Sequence, residues 1–259
     1  MRKYDVVYFV RKGDQNEELR YSLRSLVNLP HRKVWIVGHT PAWVTGVESI
    51  PGNVFREKWW NVVDNLRLAA LHVKAEQFVV MNDDIFLMRP PSLAPCYRGP
   101  LVEQIARTSG PWRDSLEKTY AHLVSVGIDD PISYELHRPV LMERTKLLEV
   151  ARLCMGWRSN PPQWRTLYGN LFNMGGIQVE DGKLMRNTKR PWREWDVLST
   201  EDNVFRHHES GRHVRSIFAA PGVYEQPTPT MVRPVKMAGR RHRVERHPGR
   251  PSLVQRVAV

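Results

Sequence analysis

Three short, almost entirely apolar segments in the first third of the chain constrain its fold most strongly. They are residues 5–10 (DVVYFV), 34–37 (VWIV) and 77–81 (QFVVM). Runs of this kind, rich in β-branched and aromatic residues, are typical of strands buried on both faces of a parallel sheet. We therefore predict that these segments are neighbouring strands of one such sheet.

Helices are predicted between these strands. Asp14 and Glu17 have the spacing of a capping box, and leucines follow at i, i+4 and i+7, so a helix should run to about residue 28. Residues 59–73 repeat apolar side chains with helical spacing. The alternation of strand and helix predicts an α/β fold with a mainly parallel sheet flanked by helices.

The remainder of the chain divides into a continuing domain and a tail. Further helices are predicted over residues 115–126 and within residues 138–154, and Asp181-Gly182 suits the turn of a hairpin around Ile177 and Leu184. From residue 226 onward Pro, Arg, Gly and His dominate and apolar periodicity ends. We predict a catalytic domain over residues 1–225 and a basic, flexible tail over residues 226–259.

The formal net charge is +12 at pH 7. Much of this charge lies in the tail, where residues 231–259 hold eight Lys or Arg and a single acidic residue, Glu245. Clusters of this kind bind polyanions, so the tail is expected to contact nucleic acid. This leaves open, as the alternative function, a non-enzymatic basic nucleic-acid-binding protein.

The compartment is predicted from three further features. No run approaches the roughly 18 consecutive apolar residues that a membrane-spanning helix needs, and the N-terminal residues lack the pattern of a signal peptide. The two cysteines, Cys96 and Cys154, form no CxxC pair, which favours reduced thiols over a disulfide or a zinc site. We expect a protein without a membrane span in the cytoplasm of a bacterial or phage-infected cell.

The polar residues that follow the third strand are the main candidates for chemistry. Asn82, Asp83 and Asp84 come directly after it, and parallel sheets bind ligands beyond the carboxyl ends of their strands. Two adjacent carboxylates can hold Mg²⁺ or Mn²⁺ against the diphosphate of a nucleotide-sugar donor. The other interpretation of such a pair is that it solvates a loop or caps a helix.

Several blocks of the sequence, in order, resemble the Stealth family, whose members transfer sugar-1-phosphates from nucleotide sugars onto glycans. DVVYFVRKGD is similar to the family's opening strand and glycine loop, and NEELRYSLRSL to its helix. VWIVGHTPAWV and FVVMNDDIFL resemble the two strand blocks that follow. SYELHRPVLMER and LSTEDNVFRHH are similar to shorter patches of the family further along. The resemblance implies a nucleotide-sugar-dependent transferase with a GT-A-like, Rossmann-like fold.

The resemblance also implies roles for individual residues. Asp83 and Asp84 would bind the metal and the donor diphosphate, and His137 would be the general base on the acceptor hydroxyl. Asp84 and Asp202 are counted among the catalytic residues, Asp202 as the candidate for completing the metal or donor site. The residues expected to bind the donor are Asp5, Gly13, Asp14, Arg20, Arg24, Asn61, Asn82 and Asn203.

The group transferred and the acceptor stay open. The family's usual loop after the first strand is replaced here by Phe9, Val10, Arg11, Lys12 and Gly13, so we use the broader description, a glycosyltransferase-like enzyme that transfers a sugar or a sugar-1-phosphate. The acceptor could be a glycan, a protein or modified DNA. The Arg-rich and Trp-rich composition resembles proteins encoded by actinobacterial phages. Most of the nine tryptophans are assigned to packing.

Overall fold

The computed structural model describes residues 2–13, 15–53, 55, 58–157, 159–186 and 188–227. Contacts group Met1–Gln226 into one compact unit. Its strands are β1 (Tyr4–Val10), β2 (His31–Gly38), β3 (Glu48–Pro51), β4 (Gln77–Asn82), β5 (Ile85–Leu87), β6 (Cys96–Tyr97), β7 (Gly99–Pro100), β8 (Ile132–Ser133), β9 (Val140–Glu143), β10 (Ile177–Gln178), β11 (Lys183–Leu184) and β12 (Val197–Thr200). Its helices are α1 (Glu17–Ser25), α2 (Lys58–His72), α3 (Leu101–Ala106), α4 (Gly110–Ser125), α5 (Arg144–Met155), α6 (Trp164–Leu171), α7 (Asp202–His207) and α8 (Glu209–Ile217).

The central sheet has five strands in the order β3-β2-β1-β4-β9. β1 pairs in parallel with both β2 and β4, β3 joins β2 in parallel, and β9 runs antiparallel to β4 at the edge. Phe9 lies opposite Asn82 in the register of β1 and β4, so these two strands end side by side. The predicted α/β fold with a mainly parallel sheet is confirmed.

The side chains of β1 alternate between two apolar cores, because successive residues of a strand point to opposite faces. Val7 and Phe9 pack in the core that contains α2, α4, α5 and α6. Val6 and Tyr8 pack in the other core, against α1. Both sets are buried, which explains why the sequence of this strand is apolar at nearly every position.

A second, three-stranded sheet lies after the end of β4. Its order is β11-β12-β5, with β11 and β12 parallel and β12 antiparallel to β5. The predicted hairpin around Ile177 and Leu184 is wrong, because β10 pairs in parallel with β6 and β11 pairs in parallel with β12. The two segments therefore pair with distant strands and not with each other across the Asp-Gly turn. This pairing brings Lys183 and Thr200 next to Asp84.

The predicted helices form close to their expected positions as α1, α2, α4 and α5. The N-cap of α1 is Asn16, whose side-chain oxygen accepts from the backbone N–H of Leu19 at 3.1 Å. Asp14, predicted to cap this helix and bind the donor, lies outside the described residues, as does the predicted tail from residue 228 onward. Both cysteines are free thiols, and within the described residues no helix has the length and apolarity to cross a membrane.

Candidate active site

A cavity of about 370 Å³ lies at the carboxyl ends of β1 and β4. Phe9 and Arg11 border it from the end of β1, and Asn82, Asp83 and Asp84 border it from the end of β4. Its other walls come from the first turns of α2, α4 and α6 and from residues 135–137 before β9. This is the crevice in which parallel α/β sheets place their ligands.

Asp83 is held by the residue that caps α1. The side-chain amide of Asn16 donates to Asp83 Oδ2 at 2.8 Å, while the oxygen of the same amide caps the helix. Burial, and next the charge of Asp84, raise the pKa of Asp83 to about 6, although the bond from Asn16 opposes the shift. The Asp83 carboxylate is therefore an unusually basic carboxylate for its type.

Asp84 is paired with Lys183 of β11. The Lys183 ammonium donates to Asp84 Oδ2 and to the backbone oxygen of Thr200, so it links the carboxylate to β12. The other carboxylate oxygen, Asp84 Oδ1, is buried and has no hydrogen-bond partner within the described part of the chain. A buried oxygen without a partner is costly, and a ligand that binds it relieves that cost.

A third acidic group, Glu18, lies behind the two aspartates. It is a buried residue of α1 that accepts a 2.9 Å hydrogen bond from the hydroxyl of Thr200. Burial and the charge of Asp84 raise the pKa of Glu18 to about 7. The Lys183 ammonium therefore acts on Glu18 as well as on Asp84, while the charges of both aspartates favour the protonated form of Glu18.

His137 borders the same cavity and is oriented by Asp181. Asp181 Oδ1 accepts from the backbone N–H of His137 at 2.8 Å, and Asp181 Oδ2 lies 3.0 Å from His137 Nδ1. Burial raises the pKa of Asp181, but its hydrogen bonds to His137 and the charge of His137 outweigh that effect and lower the pKa to about 2. An ionised Asp181 favours the tautomer with the proton on Nδ1, which leaves Nε2 as a proton acceptor.

Arg165 connects Asn82, at the end of β4, to the segment that carries His137. Its guanidinium is buried and donates to the backbone oxygens of Leu136 and Arg138, the latter at 3.2 Å, and to Asn82 Oδ1 at 3.3 Å. Three acceptors from two parts of the chain therefore share one cation. This arrangement fixes Asn82 relative to His137.

Aromatic side chains from three helices line the cavity. Trp59, Trp112 and Trp164 each lie in the first turn of a different helix, α2, α4 and α6. Trp59 and Trp112 stack with ring centroids 5.9 Å apart, and Trp164 meets Phe9 edge to face at 6.2 Å. The pattern of tryptophans in the sequence does not predict this convergence, because it depends on how the three helices pack.

The structure brings five of the predicted site residues to this cavity. They are Asn61, Asn82, Asp83, Asp84 and His137. The Asn61 side chain also bonds to the backbone of Phe55, accepting at 2.8 Å and donating at 3.2 Å. Gly13 lies in the loop after β1, but it does not border the cavity.

The prediction that Arg20 and Arg24 face donor phosphates is corrected. Arg24 donates to both carboxylate oxygens of Glu225, at 2.5 and 2.9 Å, and to the backbone oxygen of Phe218. Arg20 lies 3.4 Å from the same carboxylate and 4.5 Å from the ring centroid of Trp43. Both arginines hold the end of the compact unit against α1, and neither borders the cavity.

The predicted roles of Asp5, Asp202 and Asn203 are also corrected. Asp5 lies at the start of β1, about 13 Å of strand from Phe9, and accepts from Arg32 and Trp35 at 3.0 Å each. Asp202 begins α7 and pairs at 3.1 Å with Arg206 one turn later, on the exposed face. Asn203 is likewise exposed, and none of the three borders the cavity.

Four residues that hold the site together were missed from the sequence: Asn16, Arg165, Asp181 and Lys183. Asn16 carried a signal, because Asn is a preferred helix cap just before the apolar periodicity of α1. Each of the other three contacts a predicted site residue between 44 and 99 residues away in the chain: Asp181 contacts His137, Arg165 contacts Asn82 and Lys183 contacts Asp84. No local pattern shows such pairings.

Within the described residues, no group of three or more His, Cys, Asp or Glu is arranged to hold a metal ion.

Solved structures of a glycosyltransferase share this fold. The galactosyltransferase LgtC in complex with donor and acceptor sugar analogues matches with a TM-score of 0.53 and 10% identity, over 86% of this chain and 98% of that chain. An active-site mutant of LgtC matches with a TM-score of 0.51 and 11% identity, over 83% and 95% of the two chains. The predicted GT-A-like fold is confirmed.

No protein-family model matches the sequence, and a comparison with curated proteins finds no match. The resemblance to the Stealth proteins therefore stays a prediction.

Proposed function

We propose that this protein is a glycosyltransferase-like enzyme that transfers a sugar or a sugar-1-phosphate from a nucleotide-sugar donor to an acceptor hydroxyl. The observation that carries the proposal is the set of side chains that line one cavity. It holds adjacent carboxylates, one with a buried oxygen that has no partner among the described residues, together with a histidine oriented by an aspartate. The fold shared with LgtC, whose structure was solved with donor and acceptor sugar analogues, supports this assignment.

The residues at the end of β4 fit a divalent cation. Asp83 and Asp84 offer the carboxylate oxygens that Mg²⁺ and Mn²⁺ prefer. Asn16 and Lys183 each hold one oxygen of these carboxylates, and such outer contacts orient metal ligands. Asp84 Oδ1, buried without a partner in the described chain, is the atom that a cation would satisfy. When bound, the cation would neutralise charge on the diphosphate of the leaving group.

His137 is the proposed general base. With Nδ1 bonded to Asp181, Nε2 is the nitrogen that accepts the proton of the acceptor hydroxyl. The ionised Asp181 stabilises the imidazolium that results, and it also fixes the ring orientation through the backbone N–H of His137. Asp181 is therefore a positioning residue for His137.

Arg11 and Arg98 replace Arg20 and Arg24 as the candidates for binding donor phosphates. Both border the cavity, and the charge of Arg11 lowers the pKa of Asp83, which places Arg11 near the carboxylates. Arg98 lies 3.9 Å from Asp181, so its guanidinium is close to the proposed base. Guanidinium groups bind phosphate oxygens through paired hydrogen bonds, and Asn61 and Asn82 add neutral polar contacts.

Donor turnover tests the proposal. The purified protein is incubated with UDP-, GDP- and dTDP-sugars, Mn²⁺ or Mg²⁺, and glycan, protein or DNA acceptors, and the released nucleotide is identified by chromatography. Release of nucleoside monophosphate would mean that the sugar-1-phosphate moves, as the Stealth resemblance implies, whereas diphosphate release would mean sugar transfer. Absence of turnover with every donor and acceptor, together with salt-sensitive DNA binding that survives replacement of Asp83 and Asp84, would favour the nucleic-acid-binding alternative.

A further inference from the structure

A second cavity, of about 310 Å³, lies beside the first and has no assigned role. Leu136 and Arg165 border both cavities, so the two adjoin at these residues. Residues 134–138 form the wall between them. Glu135 and His137 border the first cavity, whereas Tyr134 and Arg138 border the second. His137 and Arg138 are consecutive, with Cα atoms about 3.8 Å apart.

The second cavity combines aromatic surface with charged groups. Phe172 is half-buried and presents a ring to it, while Tyr134 and Tyr168 lie at its wall only 3% and 4% exposed. A partly exposed ring such as that of Phe172 suits the apolar face of a sugar. Among its charges, Lys146 pairs with Glu143 at 2.8 Å. Arg165 is committed to three oxygen acceptors in the wall and β4. These charges are therefore already balanced or bound within the protein.

Arg138 is the exception. It is half-buried, and its guanidinium makes no ion pair or hydrogen bond with any residue that the structure describes. Its charge lowers the pKa of Cys96, which borders the same cavity, against the larger effect of burial. Arg138 also borders a third cavity of about 310 Å³, which is lined by the carboxylates of Glu180, Glu194 and Asp196. Two of these pair with other arginines, Glu180 with Arg190 at 2.8 Å and Asp196 with Arg89 at 3.7 Å.

We propose that the second cavity is an acceptor subsite for an anionic saccharide unit, with Arg138 binding its carboxylate or phosphate group. The inference rests on the proposed function and names the acceptor's chemistry: a glycan in which an acidic unit neighbours the reacting hydroxyl. The planar fork of an arginine matches a carboxylate or a phosphate bidentately. His137 and Arg138 lie on opposite sides of the wall, and the two cavities meet at Leu136 and Arg165, so an acceptor that passes this junction would reach both residues.

Binding without donor or metal tests this inference separately from catalysis. The full-length protein is titrated calorimetrically with a glucuronic-acid-containing disaccharide, a phosphorylated disaccharide and the matched neutral disaccharide. The wild type is expected to bind at least one acidic probe more tightly than the neutral one. Arg138→Gln is expected to weaken binding of that acidic probe about tenfold or more, the range for a hydrogen bond to a charged group, and to leave the neutral probe unchanged.

Two further variants show whether a loss of binding is specific to the guanidinium of Arg138. Arg138→Lys keeps the charge but loses the fork, so its loss should be smaller than that of Arg138→Gln. Arg107→Gln, at an exposed arginine on the surface, is the matched control and should bind as the wild type does. Equal affinity of the wild type for acidic and neutral probes, or equal loss in the control, would overturn the proposed subsite.

Donor turnover in the same variants separates the two proposals. In Arg138→Gln, transfer to acidic acceptors should fall about tenfold or more relative to transfer to neutral acceptors, whereas Arg107→Gln should keep the wild-type preference. Turnover whose acceptor preference ignores Arg138 would overturn the subsite and leave the proposed function intact. If the protein binds acidic probes through Arg138 but turns over no donor, the proposed function would be overturned and the anion-binding site would stand.

Discussion

The side-chain amide of Asn16 joins the start of α1 to the carboxylate Asp83, 67 residues later in the chain. The amide nitrogen donates to Asp83 Oδ2 at 2.8 Å while the amide oxygen caps the helix at 3.1 Å. One side chain therefore stabilises a structural element and orients a site residue. Asn16 adopts a left-handed conformation, with φ of 30°, which Asn and Asp tolerate better than most residues.

Replacement of Asn16 is predicted to separate these two roles. Asn16→Asp keeps an acceptor for the helix cap and suits the backbone, but it loses the donor to Asp83 and adds a like charge beside it. We expect a lower melting temperature in the presence of a chelator and a larger rise on addition of Mn²⁺ than in the wild type. Thermal unfolding with and without Mn²⁺ measures both, and an equal rise in the two proteins would contradict the prediction.

Replacement of His137 is predicted to affect the chemical step. His137→Gln removes the proton acceptor, and general base catalysis typically contributes about 10²- to 10⁴-fold in rate. We expect kcat for transfer to fall in this range while nucleotide affinity stays within about twofold. Asp181→Asn should also lower kcat and shift the pH–rate profile, because it changes the preferred tautomer of His137. A His137→Gln variant with unchanged kcat would remove this residue from the mechanism.

Glu18 is predicted to make stability depend on pH. Its pKa rises from 4.5 to about 7 on folding, so the folded state binds the proton more tightly than the unfolded state. The resulting destabilisation is absent below pH 4.5, grows as the pH rises and is complete above about pH 7. Glu18→Gln should therefore be more stable than the wild type at pH 8, by up to about 3 kcal/mol, and should match it at pH 4.5.

Chemical denaturation at the two pH values, in buffer with a chelator, measures this difference. The variant keeps an oxygen that can accept from Thr200, so the hydrogen bond in the wild type is preserved. A stability gain that is the same at both pH values would mean that the charge of Glu18 is not its cause.

The pair of Arg24 and Glu225 is predicted to stabilise the fold without contributing to catalysis. Their side chains are only 9% and 7% exposed, and breaking a buried ion pair typically costs about 3–5 kcal/mol. We expect Arg24→Met to lower the free energy of unfolding by up to this amount, because Arg20 still lies 3.4 Å from the Glu225 carboxylate in the variant. The exposed pair of Arg107 and Glu103 is the control, because removing such a pair costs about 0–1 kcal/mol.

Donor turnover measured on the folded fraction completes this test. Arg24 lies outside the cavity, so kcat and KM for the donor should match those of the wild type. A fall in donor affinity at full folding would restore the role in donor binding that the sequence predicts for this arginine.

The central strands and the carboxylates were predictable from sequence because their signals are local. β1 and β4 are buried on both faces, so almost every residue in them is apolar, and the polar residues after β4 then mark the edge of the sheet. A role for His137 is implied only by the resemblance to the Stealth proteins and stays a prediction. For Asp181, the partner of His137, the sequence predicts a hairpin turn, because the parallel pairing of β11 with β12 depends on residues far away in the chain.

For Arg24 the sequence predicts the correct secondary structure but the wrong partner. The sequence predicts the helix on which it lies, but the partner of a helix-surface arginine depends on tertiary packing. The guanidinium of Arg24 pairs with the carboxylate of Glu225, 201 residues later in the chain, and not with a phosphate. Lys183 was missed for a related reason, since its ion pair with Asp84 exists only in the three-stranded sheet.

Metal-dependent binding of a nucleotide is the most direct test of the proposed site. UDP and GDP are titrated into the wild type and into Asp84→Asn, with Mn²⁺ and with a chelator, and unfolding curves check that both proteins are folded. We predict that Mn²⁺ strengthens binding of at least one nucleotide to the wild type at least tenfold and that Asp84→Asn removes most of this gain. Nucleotide binding that is equal with and without Mn²⁺, or unchanged in a folded Asp84→Asn variant, would contradict the assignment of Asp83 and Asp84 as the donor and metal site.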